Sequence, residues 1–203
     1  AEADLKNCFY QCSIPGWLAA YFGFDEKVKG TWGLQNGLAN DVDGQPLGAG
    51  CDYCLCVSVL PMGFSWSFWY VQEMVIHLSK EAGIHENQIL VNEWPAPSLD
   101  EGVVANPYCD NLNLFGFDPE KVNAQLHRLI EVFESKGFEL HEIEWARLRA
   151  TPLGCLFDGK QNTIGPKHEK LHLVRAACQY FTEGRAISGK QVEVLVGILT
   201  HEF

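Results

Sequence analysis

The stretch from Asn106 to Gly116 constrains this chain most. It sets the polar pair Asp110-Asn111 between two apolar runs, Val103-Val104 before it and Leu112 with Leu114-Phe115 after it. That is the pattern of a tight hairpin, whose central residues tolerate φ > 0. Asp110-Asn111 is therefore expected at the bend, with the Asp110 carboxylate projecting from strands held by ladder hydrogen bonds. There it can offer oxygen to a hard cation such as Mg²⁺. Turns of this composition are also ordinary surface features, so the meaning of Asp110 depends on which distant residues converge on it.

The 203 residues are 47% hydrophobic and 12% aromatic, enough for a sizeable globular core in one or two domains. No run of about 18 uncharged apolar residues is present, so no transmembrane helix and no membrane partner are expected. The chain opens on Ala1-Glu2-Ala3-Asp4-Leu5, strand-like text without an initiator Met or a signal-like start, and reads as an excised piece. Eight cysteines, at 8, 12, 51, 54, 56, 109, 155 and 178, fit neither a small disulfide scaffold nor paired C-x-x-C zinc ligands. Cys54 and Cys56 read as small apolar residues on one face of a strand. Reduced thiols place the chain inside a cell, in nucleus or cytoplasm without distinction. Twenty-six acidic residues against 15 basic give a net charge of −11, which on charge alone argues against a polyanionic partner.

Periodicity then assigns elements along the chain. Residues 1–12 read as a strand broken by Ser13-Ile14-Pro15-Gly16, and residues 17–24 as a short helix or irregular apolar segment. Residues 30–50 read as a strand, a turn at Asp43-Gly44 and a long loop, and residues 51–60 as the return strand. Phe68, Val71, Val75, Leu78 and Ala82 recur at helical spacing up to Gly83, with Ser65 or Ser67 as the N-cap. After a proline-bearing connection and the hairpin, Asp118-Pro119 caps and opens a second helix. Its inward residues are Val122, Leu126, Leu129, Ile130 and Phe133, and Gly137 stops it. Strands over 138–143 and 153–159, a helix opened by Pro166 and a last helix over 188–199 complete the pattern. The order predicts an α+β fold, an antiparallel sheet with helices on one face in a split βαβ arrangement. In that layout Asp4 and Asp110 can meet.

Four separated motifs, in order, now carry a resemblance. Ala3-Asp4-Leu5-Lys6-Asn7-Cys8-Phe9 resembles the first catalytic motif of reverse transcriptases, an Asp followed five residues later by an aromatic. Leu60-Pro61-Met62-Gly63, continuing to Gln72, resembles the LPxG motif that starts the central helix of the polymerase palm. Tyr108-Cys109-Asp110-Asn111 resembles Y-x-D-D. Leu153-Gly154, with Phe157-Asp158-Gly159 and Ile164-Gly165-Pro166, resembles the hairpin that grips the primer terminus in retrotransposon enzymes.

The resemblance implies a retroelement RNA-directed DNA polymerase, with a palm over residues 1–165, a partial thumb over 166–203 and no fingers. It makes Asp4, Asp110 and Asn111 the catalytic residues, with Asp4 and Asp110 as ligands of Mg²⁺ or Mn²⁺. Leu5, Phe9, Met62, Gly63 and Gln72 would bind the nucleotide, Phe9 excluding a 2′-hydroxyl. Leu153, Gly154, Lys167, Lys170 and Arg175 would bind the primer. Partners would be an RNA/DNA primer-template, a dNTP and other domains of a larger polyprotein. Two-metal nucleotidyl transfer explains the carboxylates, which must hold two cations about 4 Å apart. The chain departs from the pattern at Asn111, a neutral ligand in place of the second Asp, and at Met62, where many members carry Gln. It also lacks the lysine often found after Gly137, and His141 nearby reads as a strand-face residue. The alternative reading is a degenerate palm remnant that does not catalyse, or a nucleic-acid or protein interaction module.

Overall fold

The computed structural model describes residues 1–203 apart from Glu93, Lys167, 183–187 and Phe203. Along the chain run β1 (Glu2–Leu5), α1 (Cys8–Gln11), α2 (Gly16–Ala19), β2 (Gly23–Lys29), α3 (Gly30–Gln35), β3 (Asp52–Cys56) and α4 (Ser67–Glu81). There follow β4 (Val104–Tyr108), β5 (Asn111–Phe115), α5 (Pro119–Ser135), β6 (Leu140–Glu144), β7 (Arg149–Ala150), β8 (Cys155–Asp158), β9 (Thr163–Pro166), α6 (His168–Thr182) and α7 (Gly189–Glu202). The organising layer is a four-stranded antiparallel sheet in the order β4-β5-β1-β6, joined by a β2-β3 pair and a small β7-β8-β9 sheet. The fold class is thus the expected α+β arrangement.

Helices α4 and α5 cover one face of the central sheet. Strand alternation sends Ala3, Leu5, Leu112 and Leu114 to that face, where they meet Val71, Val75 and Leu78 of α4 and Val122, Leu126, Leu129 and Phe133 of α5 in one core. The second helix begins as its sequence dictates. Asp118 Oδ1 accepts hydrogen bonds from the Glu120 N–H at 3.0 Å and the Lys121 N–H at 3.3 Å, Pro119 occupies the first turn, and Gly137 takes φ of 86° just beyond the last turn. Helix α4 starts differently from expectation. Neither Ser65 nor Ser67 caps it: Trp66 holds the N-cap position, and the buried Ser67 hydroxyl donates instead to the Pro61 carbonyl at 2.8 Å.

Other expectations shift for local reasons. The first strand ends at Leu5 because Asn7 adopts a left-handed φ of 50° and turns the chain into α1. Residues 30–35 form α3 rather than a strand. Gly30 lies so close to the Gly48 carbonyl that a Cβ would stand 2.1 Å from that oxygen. Leu153-Gly154 lies in a single turn of 3₁₀ helix, with Leu153 at φ 50°, and the strand begins only at Cys155. Pro166 closes β9 and does not open a helix. Among the described residues no helix is long and apolar enough to cross a membrane.

Candidate active site

The hairpin is built one residue away from its expected register. Tyr108 pairs with Asn111, so Cys109-Asp110 forms the two-residue loop and Asn111 belongs to β5. Cys109 carries the left-handed φ, 53°, an unfavourable conformation for a residue with a Cβ. Two residues from elsewhere hold the bend in place. Gln72 of α4 donates through Nε2 to the Pro107 carbonyl at 2.9 Å and accepts at Oε1 from the Cys109 N–H at 2.8 Å. The Leu5 N–H of β1 donates to the Asp110 carbonyl at 2.9 Å. The bend is thereby tied to the helix behind it and the strand beside it.

Strand pairing then fixes the open face. β1 runs antiparallel to β5 with Asp4 opposite Asn111, and to β6 with Asp4 opposite His141. Asp4 is mostly covered, and His141 Nε2 lies 2.8 Å from its Oδ1. Burial raises the Asp4 carboxyl above its ordinary range, the His141 contact opposes that, and the neighbouring Asp110 charge adds to it. Asp110 also reaches the Cys109 thiol, which burial first and that charge second push up to about 11. Asn111 Nδ2 donates to Asp110 Oδ1 at 3.0 Å. Asp4, Asp110 and Asn111 therefore form one electrostatically linked group, assembled from residues more than a hundred positions apart.

A cleft of about 200 Å³ opens beside them. Its wall includes Asp4, Asn111, Glu142 and Glu144 on the sheet and Thr151, Pro152 and Leu153 on the turn before β8. Phe115 of β5 stacks on Phe157 of β8, ring centroids 4.9 Å apart, and this anchors that turn over the sheet. Leu153 is thus brought to the same cleft as Asp4. Arg147 pairs with both Glu2 and Glu144, so the acidic rim is partly neutralised by a residue of the β6–β7 connection.

The remaining expected residues fall into separate environments. Leu5 has its side chain fully buried on the helix-facing side. Period-two alternation places it opposite Asp4. Gln72 is likewise engaged with the hairpin backbone at both ends of its amide. Phe9 packs partly against the core. Met62 is exposed and accepts a weak contact from the Tyr10 hydroxyl at 3.5 Å. Gly63 takes φ of 92° in the turn before α4, with open space around it. Gly154 follows Leu153 in its turn at φ 87°, and Arg175 is exposed on α6. Lys167 and the side chain of Lys170 lie outside the described residues.

Sequence reasoning missed the Gln72 clamp, the His141–Asp4 pair and the Arg147 bridge. All three depend on strand register or helix placement, which no local pattern encodes. For a cation, the donor set is hard oxygen: two carboxylates and the Asn111 carbonyl, chemically suited to Mg²⁺ or Mn²⁺. Burial chiefly, and the Asp110 charge in smaller part, raise Asp4; a nearby cation would offset the second of these. Among the described residues no group of three or more His, Cys, Asp and Glu side chains is placed to hold a metal ion.

A scan against protein-family models finds no match, and no curated protein matches the sequence. Among solved structures the chain is similar to a foamy viral protease-reverse transcriptase in complex with double-stranded DNA, with a TM-score of 0.59 and 14% identity. The match covers 98% of this chain and 26% of that one, so the chain spans about a quarter of its structural neighbour. The likeness shows a reverse-transcriptase-like fold.

Proposed function

We propose that this chain is the palm of an RNA-directed DNA polymerase over residues 1–165, continuing into the first helices of a thumb over 166–203. The observation that carries the reading is the juxtaposition of Asp4 on β1 with the Cys109-Asp110 bend and Asn111 on β5. Asp4 and Asp110 would hold Mg²⁺ or Mn²⁺, which when bound would lower the pKa of a primer 3′-hydroxyl and neutralise the departing pyrophosphate. The chain's own residues position that chemistry. Gln72 and the Leu5 N–H fix the backbone of the bend that carries Asp110, beside Asn111 on the cleft wall. Leu153 on the cleft wall, with Gly154 next to it in the turn, would contact the primer end. Phe9 would pack beneath the sugar of the incoming nucleotide. Primer-template and dNTP are the proposed partners, with further domains of a larger polypeptide supplying phosphate contacts.

A second reading is favoured by one observation. Both carboxylates already have protein partners, Asp4 with His141 and Asp110 with Asn111, as in a site that no longer takes a cation. A primer-extension assay on the longest natural polypeptide carrying this chain, under Mg²⁺ and under Mn²⁺, separates the two. Extension that disappears in Asp110→Ala supports the polymerase; no extension by the parent with either metal overturns it.

A further inference from the structure

The outward strip of α4 is unlike the rest of the surface. Trp66, Trp69, Tyr70 and Glu73 follow at helical spacing, and the three rings are 56%, 49% and 44% exposed. They pack edge to face among themselves, Trp66 on Trp69 at 6.0 Å and Trp69 on Tyr70 at 5.1 Å. The aromatic surface continues through Phe68, which meets Tyr108 at 5.5 Å, one residue before the Cys109-Asp110 bend. None of these rings is needed to seat the helix, whose inner face already buries Val71, Val75 and Leu78. A contiguous patch of Trp and Tyr left to solvent is the composition of an interaction surface.

Charge identifies what fits it. Between Lys29 and Lys80 the chain carries no lysine or arginine, while Glu73 stands one turn beyond Trp69 and Tyr70 and the whole chain bears −11. Nucleic-acid affinity rests largely on cations that meet phosphates, and this strip supplies none. Ring faces beside a carboxylate suit a guanidinium, which stacks on the ring and pairs with the acid. We propose that this strip of α4 docks an arginine-rich segment of a partner polypeptide, with guanidinium groups stacked on Trp69 and Tyr70 and paired to Glu73. Such a segment would bring positive charge next to the hairpin. The inference stands independently of polymerase activity.

The test uses the metal-free chain at about 0.15 M salt, where surface charges are screened beyond roughly 8 Å. Fluorescence anisotropy is read on labelled arginine-rich and lysine-rich peptides of equal length and charge, and on oligo(dT). The arginine peptide is expected to bind several-fold more tightly than the lysine peptide. Trp69→Ala should weaken it about fivefold and erase the preference for arginine. Glu73→Gln should weaken it about twofold, whereas Asp100→Asn, the same charge change before the far end of the hairpin, should have no effect. Circular dichroism checks that the Trp69 variant keeps its helix content. Equal affinity for the two peptides, or a folded Trp69→Ala chain that binds the arginine peptide as before, would overturn the proposal. So would oligo(dT) binding tighter than the peptide and lost in Trp69→Ala, which would assign the strip to nucleic-acid bases.

Discussion

The two faces of the central sheet use the same four strands to opposite ends. Toward α4 and α5, Ala3, Leu5, Leu112 and Leu114 are buried with Phe133 and Leu126 in a single apolar core. Toward the cleft, Glu2, Asp4, Asn111 and Glu144 present acids and an amide whose partners are His141 and Arg147. The apolar face specifies the register, and the register decides which polar residues meet. A slip of one residue would expose Leu5 and bury Asp4, so burial on one side positions chemistry on the other.

The largest effect is expected from breaking the apolar face. Phe133→Ala should cost about 3–5 kcal/mol in urea unfolding, because the ring is fully buried and its cavity cannot refill. Open-face substitutions such as Glu144→Gln should stay within roughly 1 kcal/mol. Gln72→Ala comes next. It leaves the Pro107 carbonyl and the Cys109 N–H without their partner, a loss of about 1–3 kcal/mol, and hydrogen exchange at Cys109 should accelerate while the α5 amides remain protected.

The pH dependence sharpens the contrast further. Asp4 is raised in the folded chain, chiefly by burial, so its contribution favours the fold below the unfolded carboxyl pKa and is lost as pH rises through the folded one. Asp158 is lowered, chiefly by its Arg149 pair at 2.6 Å, so its contribution is present above the unfolded pKa and is lost as pH falls through the folded one. Thermal melts across pH 2–6 should therefore show Asp4→Asn flattening a loss on the alkaline side of that window. Arg149→Met should instead raise the pH at which the β7-β8-β9 sheet frays. Asn111→Asp places a further carboxylate beside Asp4 and Asp110 and removes the amide donation to Asp110 Oδ1, so the metal-free chain should lose about 1 kcal/mol in the same melts. In the presence of Mg²⁺ that substitution should increase any primer extension, and unchanged extension would show that Asn111 is not at the reacting centre.

Legibility in the sequence divides along the same line. Helices α4 and α5 follow from apolar spacing, and the α5 cap and both glycine stops follow from residue chemistry. The hairpin was also legible, but its loop was not. Asp-Asn is good turn chemistry, yet the loop falls on Cys109-Asp110 because Gln72 and Leu5 hold Cys109 in a conformation its own preferences oppose. Leu5 and Asp4 are neighbours in one motif, and alternation along the strand turns their side chains to opposite faces. The three-residue turn at Pro152–Gly154 and the His141–Asp4 contact depend on strands meeting across long separations, which a local pattern does not record.

The central claim is that Asp4 and Asp110 act as one cation site. Electron paramagnetic resonance of Mn²⁺ titrated into the chain tests it most directly, by counting free against bound ion. The account predicts one saturable site that weakens at least about tenfold in Asp110→Ala and equally in Asp4→Ala, as removal of one of two carboxylate ligands should do. Mn²⁺ binding that is absent in the parent chain, or that survives unchanged in both variants, would contradict it.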